Sequence, residues 1–167
     1  AQQRIDALLA REPGNASGLV MQAELLAANG KLRDAIGKLQ AAVSANPGLA
    51  EAHFALGRAY VASHDRDQAI RSFNQTLRLN PRAVSAQIEL SRLELAGGRA
   101  DSSEQFAEQA LKNAPHDPDA QLALVRALIA RRNVRRAEEE LRDLTKEYPK
   151  HAAVQTQAGI LAGLKGD

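Results

Sequence analysis

Cysteine and tryptophan are absent from the 167 residues, methionine occurs once, and aromatic side chains amount to 3%. Without cysteine there is neither a disulfide framework nor a thiolate metal site, so cytoplasmic and bacterial envelope or periplasmic locations are equally compatible. So few aromatic rings exclude a stacking platform for nucleic-acid bases. No apolar run approaches the roughly 18–20 residues that span a bilayer. The most apolar stretch, Leu122 to Ala130, is broken by Arg126, and no direct membrane span is expected. A formal charge of +2 leaves no excess to draw in nucleic acid or an anionic membrane over a distance.

What is present is ordinary in amount and unusual in arrangement. Hydrophobic residues make up 44% and charged residues 25%, the composition of a chain that folds. Five of the six prolines, Pro13, Pro47, Pro81, Pro115 and Pro149, each follow the last by 34 residues. A period of roughly 20–50 residues marks a stack of like supersecondary units, whose core grows one layer at a time. With each proline at position 32, complete repeats fall at 16–49, 50–83, 84–117 and 118–151. Residues 1–15 then supply only a second helix and 152–167 only a first, which predicts a single array over 1–167 cut from a longer one.

The repeat at 50–83 carries Leu56-Gly57, Tyr60, Ala69, Phe73 and Pro81 at positions 7, 8, 11, 20, 24 and 32. In this it resembles the tetratricopeptide repeat family, and the resemblance runs through the whole chain. It implies an all-α fold, a right-handed superhelical α-α solenoid of helix-turn-helix repeats. Small residues recur at position 8 (Ala23, Gly57, Ser91, Gly159) and at position 20 (Ala1, Ala35, Ala69, Ser103, Ala137). Paired helices approach too closely there for a long side chain. The departures are Val125 at position 8, Gln22 at position 7, and Leu19, His53, Gln87, Gln121 and Gln155 at position 4, where a bulky aromatic is usual; looser packing is expected at each.

Helix A is expected near 16–29, 50–63, 84–97, 118–131 and 152–165, helix B near 33–46, 67–80, 101–114 and 135–148, and strand nowhere. Position 15 holds Gly30, Gly98 and Gly166, where the exit from helix A calls for a left-handed backbone. His64 and Arg132 share that slot, at a strain on the order of 1 kcal/mol each. The periodic proline punctuates the end of helix B by holding the residue before it out of the helix.

The resemblance also implies that the A helices line a concave groove, with positions 2, 5, 9, 12 and 13 facing it. Position 9 then sets Arg58, Arg92 and Arg126 at the repeat interval, and position 13 puts Ala28, Ala62, Ala96 and Ala130 beside them. The expected partner is a protein or peptide segment with acidic and apolar residues. It would be gripped by the three arginines and seated on Phe54, Ile88, Leu95, Leu122 and Ile129, since guanidinium forks bind carboxylates through paired charge-assisted bonds. The competing reading pairs Arg92 with Glu89 and buries positions 5 and 12 in the core. The Lys and Asn that the family's chaperone-tail clamp uses at positions 5 and 9 are not matched by Val20 with Glu24 or Phe54 with Arg58, which disfavours that mode.

A second expectation is a structural spacer within a longer bacterial envelope, secretion or exopolysaccharide-system protein. Leu8, Leu9, Ile160 and Leu161 on the end helices would then support homo-oligomers. The basic run from Arg131 to Arg136 reads as a solvated turn beside helix dipoles. His53, His64, His116 and His151 have no metal-ligand spacing. Asp65, Asp67, Asp117 and Asp119 read as helix-start residues that satisfy local amides. With no nucleophile and base pair and no phosphate loop, no enzyme and no cofactor are expected.

Overall fold

The computed structural model describes residues 2–166; Ala1, expected as the small residue at position 20 of the first half-repeat, lies outside them. Among the described residues there are ten α-helices and no strand. They are α1 (Gln2–Arg11), α2 (Ala16–Ala28), α3 (Leu32–Ala45), α4 (Ala50–Ala62), α5 (Arg66–Leu79), α6 (Val84–Ala96), α7 (Ala100–Asn113), α8 (Pro118–Ala130), α9 (Val134–Glu147) and α10 (Ala152–Lys165). Even-numbered helices are the expected A helices and odd-numbered ones the B helices, with α3, α5, α7 and α9 each starting one residue earlier than the period predicts.

The helices group into two compact units, the first ending at Pro81 and the second beginning at Arg82. In the first, Leu19, Val20, Leu39 and Leu56 build the core with alanines between them. In the second, Leu124, Val125, Leu128, Leu141 and Leu144 do so.

Each A helix packs on the B helix that follows it. Within the second unit the small positions 8 and 20 meet directly, Ser91 Oγ lying 3.0 Å from Ser103 Oγ in a buried pair. Within the first, a methyl group on Gly57 would stand 2.6 Å from Phe73 Cε1, so the large ring at position 24 demands glycine at position 8. The looser packing expected at Val125 is not found. That side chain is fully buried, and Leu141 rather than a phenylalanine occupies position 24 of the same repeat. Volume is exchanged across the helix pair rather than lost. Gln22 does carry a local fault, because its buried Oε1 has no hydrogen-bond partner.

The turns follow from four local devices. At the end of α2, α4, α6 and α8 the amides of Lys31, Asp65, Arg99 and Asn133 bond back to the carbonyls of Leu26, Tyr60, Glu94 and Leu128 at 2.9 Å. This closure requires a left-handed residue just before each of those amides. Gly30 (φ 75°), His64 (φ 60°), Gly98 (φ 74°) and Arg132 (φ 56°) provide it. At the far end of the B helices, Asn46 and Asn80 are extended (φ −141° and −136°), and Ala114 and Tyr148 have likewise left the helical region (ψ 81° and 58°), as a following proline requires. Asn15, Asp65, Asp117 and Asn133 cap α2, α5, α8 and α9 by accepting amide hydrogen bonds.

Position 4 needs a second correction. Two of its polar residues tie consecutive repeats together instead of leaving them slack: His53 Nε2 lies 2.9 Å from the Pro47 carbonyl oxygen, and Gln155 Nε2 donates to that of Pro149 at 2.7 Å. Gln87, buried, accepts from Asn113 Nδ2 at 3.1 Å. An aromatic ring in this slot would contribute area but no such directional bond.

His64 and Arg132 are L-residues where glycine is unstrained, and each should cost stability. His64→Gly and Arg132→Gly are expected to raise the unfolding free energy by about 0.5–1 kcal/mol each, measured by urea denaturation; the same change at exposed Ser63, outside the left-handed slot, should not.

Candidate protein-interaction surface

The outward face of the A helices is set by their packing on the B helices. In an α-helix each residue turns by roughly 100°, so position 9 points away from the contact made through position 8. Arg58 on α4 and Arg92 on α6 are accordingly exposed, and Arg126 on α8 is half-buried. The position 13 alanines, Ala28, Ala62, Ala96 and Ala130, are all exposed and leave the neighbouring surface open.

The three arginines differ in their surroundings. Arg58 belongs to the first unit, Arg92 and Arg126 to the second. Arg92 reaches Glu89 on its own helix at 3.3 Å and Asp119 at the start of α8 at 3.9 Å. The Glu89 pairing is the internal one expected from the i, i+3 spacing. Arg126 makes no ion pair among the described residues. Burial lowers its pKa below the ordinary arginine value, repulsion from Arg92 adds to this, and attraction from Asp119 opposes it. Arginine keeps its charge through such shifts, so Arg126 is a partly desolvated cation with no contact ion pair among the described residues.

The apolar seat is smaller than expected. Ile88 and Leu122 are 7% and 3% exposed and belong to the core of the second unit, as Val20 does in the first. Position 5 points between the A helices, where neighbours cover it. Phe54 is half-buried, its ring 5.5 Å from that of Phe73. Leu95 and Ile129, three residues beyond Arg92 and Arg126, are half-buried, and Val61 is exposed. The accessible apolar side chains are therefore those of position 12, Val61 in the first unit and Leu95 and Ile129 in the second.

The basic run from Arg131 to Arg136 is not a freely solvated turn. Arg131 pairs with Glu104 and, at 2.7 Å, with Asp101; Arg136 reaches Glu104 and Glu108, each at 2.7 Å. The hydrogen bond that Arg131 donates to Glu104 raises its pKa, and the one that Arg136 donates to Glu108 does the same for Arg136. Glu104, with a side chain only 7% exposed, sits between two guanidiniums and joins α7 to the turn before α9. The expected solvated turn beside helix dipoles is replaced by ion pairs with residues 27 to 32 positions earlier, in the carboxylates of α7.

Asp119 also departs from expectation. Asp117 is the residue that caps α8, through the Ala120 amide at 2.9 Å, while Asp119 faces Arg92. Among the described residues no group of three or more His, Cys, Asp or Glu could hold a metal ion. No helix among them is long and apolar enough to cross a membrane.

Two family models, both described as tetratricopeptide repeat, match residues 1–50 with 54–118 and residues 94–158. The chain belongs to the tetratricopeptide repeat family. Solved structures of similar fold include YrrB, a tetratricopeptide repeat protein with an unusual peptide-binding site (TM-score 0.82, 18% identity, 97% of this chain and 84% of that one). MamA from Desulfovibrio magneticus RS-1 is similar at a TM-score of 0.83 and 18% identity, over 92% of this chain and 86% of the other. PilF from Pseudomonas aeruginosa superimposes with a TM-score of 0.83 at 19% identity, over 95% and 72%. No curated protein matches the sequence. At such identities the likeness is one of fold, and tetratricopeptide repeat proteins are in general noncatalytic scaffolds for protein partners.

Because Glu104 is buried between two cations, removing its carboxylate should cost more than removing an exposed one. Glu104→Ala is expected to lower the unfolding free energy by about 2 kcal/mol, and Asp101→Ala by less than about 0.5 kcal/mol, in parallel urea titrations.

Proposed function

We propose that the chain is a noncatalytic protein-interaction scaffold whose A-helix face binds a peptide or protein segment of acidic and apolar character. The observation that carries this is Arg126: a half-buried guanidinium without an ion-pair partner among the described residues, with a second cation, Arg92, close enough to repel it. Leaving such a group unpaired is unfavourable, and a ligand carboxylate relieves it through a charge-assisted bond of roughly 1.5–3 kcal/mol. Each unit is taken by itself: Arg58 with Phe54 would act likewise on the first, and Leu95 and Ile129 offer the apolar contacts on the second. Ile88 and Leu122 then support the surface from below. YrrB, of similar fold, is described by its peptide-binding site, which favours the same general mode.

The spacer reading has one observation in its favour. On α10, Ile160 is 46% and Leu164 36% exposed, and nothing lies within 4 Å of where a Gly159 side chain would begin. Leu161 is buried and Leu8 and Leu9 pack near Gly18, so self-association would rest on Ile160 and Leu164.

The two readings separate in one comparison. A triple variant, Arg58→Ala with Arg92→Ala and Arg126→Ala, should keep its helical circular dichroism and melting temperature. It should lose partners that the unchanged chain retains from source lysate at low salt, with affinity for a recovered partner down by about tenfold or more. Unchanged retention would remove the arginine-based reading. A solution mass that rises with concentration and returns to the monomer value in Ile160→Ser/Leu164→Ser would favour the spacer.

A further inference from the structure

Within the second unit one carboxylate already stands where that of the proposed ligand would. Asp119 lies in the first turn of α8, and its Oδ1 is 3.9 Å from Arg92 Nη2. Its charge also acts on Arg126, so one acidic side chain serves both arginines. Asp119 is not needed to close the helix start, which Asp117 caps. Nor is it a firm clamp: at 3.9 Å the contact with Arg92 is too long for a hydrogen bond, and the two side chains are 65% and 43% exposed. An ion pair so open to water contributes little to stability.

Two guanidiniums, one of them half-buried, thus share a single loosely held carboxylate. We propose that Asp119 is a displaceable, built-in occupant of an anion slot formed by Arg92 and Arg126, and that the slot takes the side-chain carboxylate of a glutamate or aspartate in a protein segment. The inference rests on the groove reading above and deepens it by naming the residue that sets selectivity. A ligand carboxylate that docks with short, charge-assisted bonds outcompetes a contact held at 3.9 Å. Arg126 has been partly desolvated by folding, so the ligand does not have to strip it. Leu95 and Ile129 lie three residues further along the same helices, which favours an apolar residue next to the acidic one. With Glu89 and Asp119 both present, the charges of Arg92 and Arg126 are balanced. A stray anion then gains little from the slot, and a segment must bring both the carboxylate and the apolar contact.

The test uses a fluorescein-labelled decapeptide of alternating Glu and Leu, with fluorescence anisotropy read for the unchanged chain, Asp119→Asn, Arg126→Ala and the Arg126→Ala/Asp119→Asn pair. Asp119→Asn is expected to tighten binding roughly two- to fivefold, the range for freeing one exposed ion pair, and Arg126→Ala to weaken it about tenfold. In the Arg126→Ala background, Asp119→Asn should recover much less, because half of the slot is gone. Weaker or unchanged binding by Asp119→Asn, with Arg126→Ala still weakened, overturns the inference and leaves the groove reading standing. Equal tightening in both backgrounds also overturns it, since Asp119 would then act only as general negative charge. If no form binds the peptide, or Arg126→Ala binds as the unchanged chain does, the groove reading falls and this inference with it.

Discussion

The close approach of each A helix to the B helix that follows it is the constraint on which the other features depend. It is visible at atomic scale in the Ser91–Ser103 contact of 3.0 Å and in the Gly57 backbone pressed against the Phe73 ring. Interaxial distance is set by the side chains at the contact. Once positions 8 and 20 are small, or position 24 compensates in volume as at Val125 and Leu141, the rotation of the A helix about its axis is fixed. That rotation decides that Val20, Ile88 and Leu122 of position 5 are core, that position 9 emerges at the surface, and that position 13 leaves room beside it.

Charge in this chain is informative through pairing rather than density. Two arginines of its densest basic run, Arg131 and Arg136, are held by Asp101, Glu104 and Glu108 and join α7 to the turn that precedes α9 and to α9 itself. The separate arginines of position 9 look unremarkable in composition. Yet Arg126 makes no contact ion pair among the described residues and feels only the charge of Asp119, while Arg92 divides its attention between Glu89 and that same loosely held Asp119. A cation left over by folding is the better candidate for recognition than a crowd of cations already satisfied.

The helix-turn-helix fold was legible from the proline period and the small residues, because both report backbone geometry directly: extended residues before proline, left-handed residues at position 15, close packing at positions 8 and 20. Even His64 and Arg132 adopt the positive φ their position demands. Less legible were contacts that join elements far apart in sequence. Glu104 reaches Arg131 and Arg136 across a helix and two turns, and no local pattern marks that. The position 5 residues Ile88 and Leu122 were expected at the surface since the frame alone does not say how closely successive A helices pack. Asp119 was assigned to capping because aspartates near a helix start usually cap it, and Asp117, two residues earlier, had taken that task.

The bonds from His53 and Gln155 to the carbonyls of Pro47 and Pro149 carry an implication for mechanics. Hydrophobic contacts between stacked repeats resist separation but allow sliding, since the area they cover changes little with small shifts. A hydrogen bond is directional and falls off steeply when bent. Placed at the corner between one repeat and the next, it acts as a torsional stop that admits bending only where the bond is kept. In a linear stack, where stability is a sum of neighbour terms, such stops make the relative pose of adjacent repeats part of the folded state. Within each unit the exposed face of its A helices is then held in one pose by the fold itself.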